Sequence, residues 1–517
     1  MKKNLIPVAI SISIVFFVFN SCNPDIPRYT AFESYVYSTV DSTGGEWEQI
    51  YLTGTSLVTL PAPEPITSDS YLNELEEVKN YNLQITDDQQ SAIDFWGNNT
   101  IVKWIEITQE LVAKYNLPPA PNDTSGYDVP DAVFPDTYPY FPFANPPYAC
   151  RAYAYLTTAM YDALIAAWHY KYEYNRPAPY KVDTEIIPSY PDNNIPSYPS
   201  EDAVIARVAE NMLGFLFPLE TEYISEMANE VRNTRLWSGM NVQSDINAGD
   251  SLGYLLTEIF IGRAKNDSTK FAQVEEDEYI EIELQADALW SGSWNHWENL
   301  ETPQRPIGIT PKFGRVNTWW VDSIETMRPP PPPLTGSPEY VEAVNELKGY
   351  TDHLPNDKRD IAFFWGDGFS TYTPAGHWDK IAIQYSLQDQ LSPLRTARVL
   401  AYLNTAMMDA GISCWDAKYY YMYPRPAQEN EDVKCLFGIP NFPSYTSGHS
   451  TFSGAAATVL GYMFPENAGS FNAWAHDASE SRIYARIHFR FDCEAGLTVG
   501  NNIGTLAVNA AMVDGSN

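Results

Sequence analysis

Apolar side chains recur at spacings of three, four and seven along residues 395–417, RTARVLAYLNTAMMDAGISCWDA, and again along residues 204–217, VIARVAENMLGFLF. That period places them on one face of an α-helix, and glycine and proline fall mainly between such runs. Residues 450–464, STFSGAAATVLGYMF, give a further small and apolar helix pattern behind a Ser-Gly turn. The prediction is an all-α chain built as two tandem helical bundles.

The pattern is written twice. Tyr71, Lys79 and residues 95–97 (FWG) match Tyr340, Lys348 and residues 364–366, always 269 positions apart. Beyond a longer Pro/Tyr/Asp loop in the first half the offset becomes 247. There YLTTAMYDA from Tyr155 matches YLNTAMMDA from Tyr402, and Trp168 and Lys171 match Trp415 and Lys418. Arg235 and Asp245 likewise match Arg482 and Asp492. An internal duplication is the natural reading. It divides the chain into an export signal (1–21), an N-terminal tether with short strands (22–59) and a first bundle (60–263). An irregular Trp-rich connecting segment (264–328) and a catalytic bundle (329–517) follow. The tryptophans of the connecting segment are expected to pack against the bundles.

Charge and composition narrow the partners. A formal charge of −34 over 517 residues argues against nucleic acid and against anionic lipid surfaces. The N-terminus has Lys2 and Lys3, about fifteen apolar residues, then Ser21-Cys22. It is too short to span a bilayer comfortably and reads as an export signal. A cysteine after a small residue resembles a bacterial lipoprotein signal, with Cys22 lipidated. The expected location is therefore the bacterial cell envelope, with membrane contact only through that anchor. Cys150, Cys414, Cys435 and Cys493 allow three disulfide connectivities, between which the sequence does not choose, and they lack zinc-site spacing. The oligomeric state is not legible.

The candidate chemistry lies between Lys418 and Asp492. Lys418 and Arg425 belong to KYYYMYPRP, Ser447, Gly448 and His449 to PSYTSGHS, and Arg482, His488 and Asp492 to SRIYARIHFRFD. Three cations, a hydroxyl and helix N-terminal amides are what an oxyanion needs in a dry pocket. His488 and Asp492, four apart, are expected on one helical face, where the carboxylate fixes the imidazole tautomer. Arg482 and His488, six apart, converge only if the helix breaks between them. Lys418 sits near the end of a helix that Pro424 must stop, so both it and Arg425 can serve one anion. The first half lacks the set. Glu201-Asp202 stand for Gly448-His449 and Asn241 stands for His488, so the first bundle is read as scaffold whose charges pair internally.

These blocks resemble the superfamily of type 2 phosphatidic acid phosphatases, bacterial acid phosphatases and vanadium-dependent haloperoxidases. The match covers Lys418, Arg425, Ser447, Gly448, His449, Arg482 and His488, with Asp492 behind the last. The family usually has proline where Thr446 stands, a departure that removes no ligand. The resemblance implies two helical bundles, one carrying the site. In a haloperoxidase, vanadate is the cofactor, His488 its protein ligand and His449 the proton-handling group, with peroxide and halide as substrates. In an exported acid phosphatase no cofactor is needed; His488 is the nucleophile on a phosphomonoester and His449 the acid. A non-catalytic oxyanion-binding lipoprotein is the third reading. Trp415 and Phe442 resemble the chloroperoxidase pocket pattern. FWGDGFSTYTPAGHW, with His377 and Trp378, resembles a block of soluble bacterial haloperoxidase-like proteins, and the haloperoxidase reading is preferred.

Overall fold

In the computed structural model of the protein the described residues are 33–97, 99–116, 145–301, 304–305 and 307–516. The export signal and Cys22 lie outside them. Two long helices, Pro146–Tyr174 and Pro393–Tyr421, pack against each other through the middle of the molecule. Both begin with proline behind a polar cap, Asn145 and Ser392, whose side chains accept from the first-turn amides of Tyr148 and Arg395. The second ends where expected, at Met422, which turns left-handed (φ 44°) two residues before Pro424.

Around each long helix stand three shorter ones: Glu201–Leu216, Thr221–Trp237 and Gln243–Lys265 in the first half, Gly448–Met463, Ala468–Tyr484 and Arg490–Ala511 in the second. Their starts recur at the 247-residue spacing. One close helix approach in the second array sets the site. A Cβ on Gly496 would come within 2.8 Å of the Ser447 carbonyl, so glycine lets the Asp492-bearing helix lie against the Ser447 turn. The Ser447 amide donates to the Asp492 carbonyl at 3.0 Å. Gly249 and Ser200 repeat the arrangement, with the Cβ distance 2.3 Å.

The segments before each array correct the sequence reading. Short strands are expected within 22–59, yet no strand occurs among the described residues. Backbone amides of Ile50, Tyr51 and Leu52 instead donate to the buried Asp162 carboxylate at 2.8–2.9 Å, so an irregular strap crosses the first long helix. Amides of Trp319, Trp320 and Val321 meet Asp409 on the second long helix in the same way, at 2.7–3.3 Å. The connecting segment is not irregular throughout either: its acidic run forms the helix Glu276–Trp290. Its tryptophans pack, Trp290 and Trp294 donating to the Tyr420 and Tyr421 carbonyls.

The four cysteines within the described residues are unpaired. No described helix is long and apolar enough to cross a membrane.

Candidate active site

Three short stretches meet at one end of the second array. Ser447 caps the helix Gly448–Met463, its hydroxyl accepting from the Ser450 amide. Gly448 and His449 therefore carry first-turn amides that have no partner within the helix. The helix Ala468–Tyr484 delivers Arg482 in its last turn and then breaks, with Arg486 left-handed (φ 60°). The expected break is present. Arg486 itself is buried in that turn, donating to the Lys434 and Tyr350 carbonyls, rather than lying on a helix surface.

The His488–Asp492 pair forms by a different route from the one expected. His488 lies outside the helix Arg490–Ala511, and Asp492 is its third residue, whose carboxylate reaches back to the Phe489 amide at 3.1 Å. The two meet across a helix N-terminus rather than on one helical face. His488 Nδ1 lies 3.0 Å from Asp492 Oδ2, which also accepts from the Ser444 hydroxyl at 2.6 Å. With Nδ1 donating to the carboxylate, Nε2 keeps its lone pair. Arg425 Nη1 approaches that nitrogen at 3.0 Å.

The cations are buried and held by carbonyls. Arg425 donates to the carbonyls of Phe442 and Ile487 at 2.8–3.1 Å. Arg482 donates to the Ala362 and Trp365 carbonyls and to the Ser481 hydroxyl. Lys418 departs from the expectation of an open anion contact. Its ammonium donates to three carbonyls of one loop, Pro443 at 2.8 Å, Ser444 at 2.9 Å and Thr446 at 2.6 Å. It thus braces the loop that leads into the Ser447 turn.

Burial sets the proton affinities. It pushes Lys418 down to about 7, with Arg425 nearby adding to the effect, and lowers Arg425 and Arg482 to about 10. His488 falls well below its ordinary value, by burial first and then by Arg425, Lys418 and Arg482. His449 falls likewise, by burial and then Arg482. Burial raises Asp492 to about 6. Both imidazoles are therefore neutral at pH 7 without an anion.

A cavity of about 510 Å³ opens onto this end of the bundle. Gly448, His449, Arg482 and His488 share its wall with Trp415 and Phe442, whose rings meet at 5.0 Å. Phe363, Phe369, Phe437 and Ile439 make much of the remainder apolar. Two contributors were missed in the sequence. Ser444 holds Asp492, and its only signal was its place in the repeated P-S-Y-x-S run. Asp367 faces the cavity, its Oδ2 3.8 Å from His449 Nε2, within the FWGDG block.

The matching corner of the first array is closed. Arg176 pairs with Asp245 at 3.0 Å, Lys171 with Glu201 at 2.7 Å and Arg235 with Asp202 at 2.9 Å. Asn241 donates to the Ser197 carbonyl, and the space left is about 30 Å³. The internal pairing expected of that half is what the side chains make.

This arrangement is the frame in which the likenesses to known proteins fall. A structure described as the first bacterial vanadium-dependent iodoperoxidase superposes with a TM-score of 0.58 at 20% identity, over 80% of this chain and 96% of that one. A holo-type bacterial vanadium-dependent chloroperoxidase superposes with a TM-score of 0.52 at 13% identity, over 75% of this chain and 97% of that one. These likenesses define the fold. Residues 398–513, within the C-terminal bundle, match the family model described as the PAP2 superfamily, one of the families its motifs resemble. No curated protein matches the chain.

Proposed function

We propose that the protein is a vanadium-dependent haloperoxidase-type enzyme that oxidises halide with hydrogen peroxide. The observation that carries this reading is His488: its Nδ1 is tied to Asp492 while its Nε2 lone pair stands among buried cations. The residues fit vanadate on their own chemistry. Nε2 of His488 would ligate the metal, and Arg425, Arg482 and the amides of Gly448 and His449 would hold its oxygens. A Cβ on Gly448 would meet nothing nearer than Trp415 at 4.0 Å, so the cradle is open there. Bound vanadate supplies a Lewis-acid centre that activates peroxide toward halide.

The protein's part is to bind, charge and exclude water. Buried guanidinium groups hold a polyanion more strongly than water does, because their alternative partners are fixed carbonyl dipoles. Asp492 keeps the His488 tautomer and basicity. His449, neutral in the empty site, is placed on the cavity wall to take up the proton that halide oxidation consumes per turnover. The fold likeness to two vanadium-dependent peroxidases, over 80% and 75% of the chain, supports the reading.

A phosphatase is the second reading, favoured by the PAP2 match and by the same Nε2 lone pair, which could attack phosphorus once Arg425 turns to the bound phosphate. The apolar cavity favours the first. The test is a side-by-side assay of the metal-stripped protein. Bromination of an activated diketone that requires added vanadate and peroxide is the expected result. Aryl phosphate hydrolysis inhibited by vanadate, without bromination, would replace it with the phosphatase. Neither activity with tight phosphate binding would leave a binding protein.

A further inference from the structure

The cavity is larger than the ion and its co-substrates need. Vanadate, peroxide and one halide fill about 200 Å³, at about 30 Å³ per water-sized atom, of a space of about 510 Å³. We propose that the remainder binds the organic acceptor, an uncharged, electron-rich aromatic molecule carrying a carboxamide-like donor and acceptor, and that both halves of the chain build this site. The inference takes its chemistry, but not its geometry, from the haloperoxidase reading.

Aromatic rings form much of the wall. Phe363 meets Phe437 at 5.2 Å, and Phe363 and Phe369 border the cavity while standing 57% and 53% exposed, so an apolar rim faces solvent. Apolar pockets of this size with a few fixed polar groups hold organic ligands. Two polar groups here lack partners. Asn145 caps the first long helix, its Oδ1 accepting from the Tyr148 amide at 3.0 Å, while its Nδ2 has no partner among the described residues. Asn441 donates from Nδ2 to the Ile307 carbonyl at 2.9 Å, while its Oδ1 has no partner there. Both side chains are 1% exposed and border the cavity.

An unmatched buried polar atom is costly, so one spare donor and one spare acceptor on the same cavity specify a ligand that supplies the complement of each. A carboxamide does so through its carbonyl and its N–H. The neighbouring Asn116 is already used, its Nδ2 donating to the Gly368 and Thr371 carbonyls. Charge on this wall is matched as well: Arg305 donates to both Glu301 oxygens at 2.5–2.7 Å, which favours an uncharged ligand. Asn116 and Asn145 belong to the first half of the chain. That half has lost its own ion site and supplies a wall for the other. In the reaction, peroxide oxidises halide by two electrons to hypohalous acid and is reduced to water. A ring carbon then bonds the halogen and loses its proton, and the hypohalous hydroxyl leaves with that proton as water.

Metal-free, full-length protein is titrated by ligand-observed NMR with 4-hydroxybenzamide and with 4-methylphenol, which keeps the ring and lacks the amide. The amide should bind about tenfold more tightly, through its two hydrogen bonds. Asn145→Asp keeps the helix cap and removes the Nδ2 donor, so it should erase most of that preference and leave 4-methylphenol within about twofold. Phe369→Ala, at an exposed position, should weaken both probes about fivefold. Phosphate affinity within about twofold of the parent shows each variant folded. With vanadate and peroxide added, bromination of 4-hydroxybenzamide should survive an excess of a diketone scavenger. Equal binding of the two probes, binding of neither, or affinities unchanged in both variants would overturn the proposal. Probe binding without bromination would sink the function reading alone; bromination wholly diverted by the scavenger, without probe binding, would sink this proposal alone.

Discussion

Lys418, Arg425 and Arg482 are almost fully buried within one small volume, and the carboxylates that face them are Asp492 and Asp367. The empty site relieves this by shedding protons. Lys418, moved from its usual 10.5 to about 7, binds fewer protons folded than unfolded, so its cost to folding is full below pH 7 and fades as pH rises to 10.5. The depressed histidines act in the same sense, withdrawing stability as pH falls below 6.5. Asp492, raised from 3.8 to about 6, acts oppositely: its protonated form favours the folded state at low pH, and that contribution is lost as pH climbs through 6. A bound polyanion reverses the proton shedding. Phosphate binding at pH 7 should therefore take up about one proton, read by calorimetry in buffers of different ionisation enthalpy. Zero uptake or net release would contradict the geometry. The ligating residues were legible in the sequence because the chemistry dictates their types and order. Asp367 was not, because a lone Asp in a Gly-flanked turn carries no signal until the fold sets it beside His449. The Lys418 carbonyl cage was equally hidden, since it depends on where the 443–446 loop turns.

Elements place these side chains through two buried carboxylates that the chemistry does not use. Asp162 and Asp409 each sit mid-helix and gather three consecutive backbone amides. They fix the straps that cover the two central helices. The sequence offered the matching YLTTAMYDA and YLNTAMMDA runs, and helix periodicity accounts for everything in them except these aspartates. Asp162→Ala leaves the buried Leu52 amide and the half-buried Ile50 and Tyr51 amides without their acceptor, at a cost of about 3 kcal/mol. Hydrogen exchange should then become fast at residues 50–52 while residues 319–321 keep their protection. Equal loss at both straps, or at neither, would mean the carboxylates do not anchor them. Strand patterning misled the reading of residues 46–54, EWEQIYLTG, because alternating apolar residues can also mark a strap with one face on a helix.

At the scale of the molecule, one architecture is used twice with opposite electrostatics. The first array closes on itself through Arg176–Asp245, Lys171–Glu201 and Arg235–Asp202, and the second leaves Arg482, His449 and His488 facing a cavity. The fixed 247-residue offset made both arrays visible in the sequence, and the replacement of Gly448-His449 by Glu201-Asp202 showed which one had lost the site. The helix Glu276–Trp290 was not visible, because its run of acidic residues hides a thin apolar stripe. The central claim is that a single oxyanion binds at His488 and nowhere in the first array. Vanadate titration of the metal-free protein, followed by vanadium NMR, tests it most directly. One equivalent should bind, Asn241→Ala should leave that binding intact and His488→Ala should abolish it. Undiminished binding in His488→Ala, or its loss in Asn241→Ala, would contradict the account.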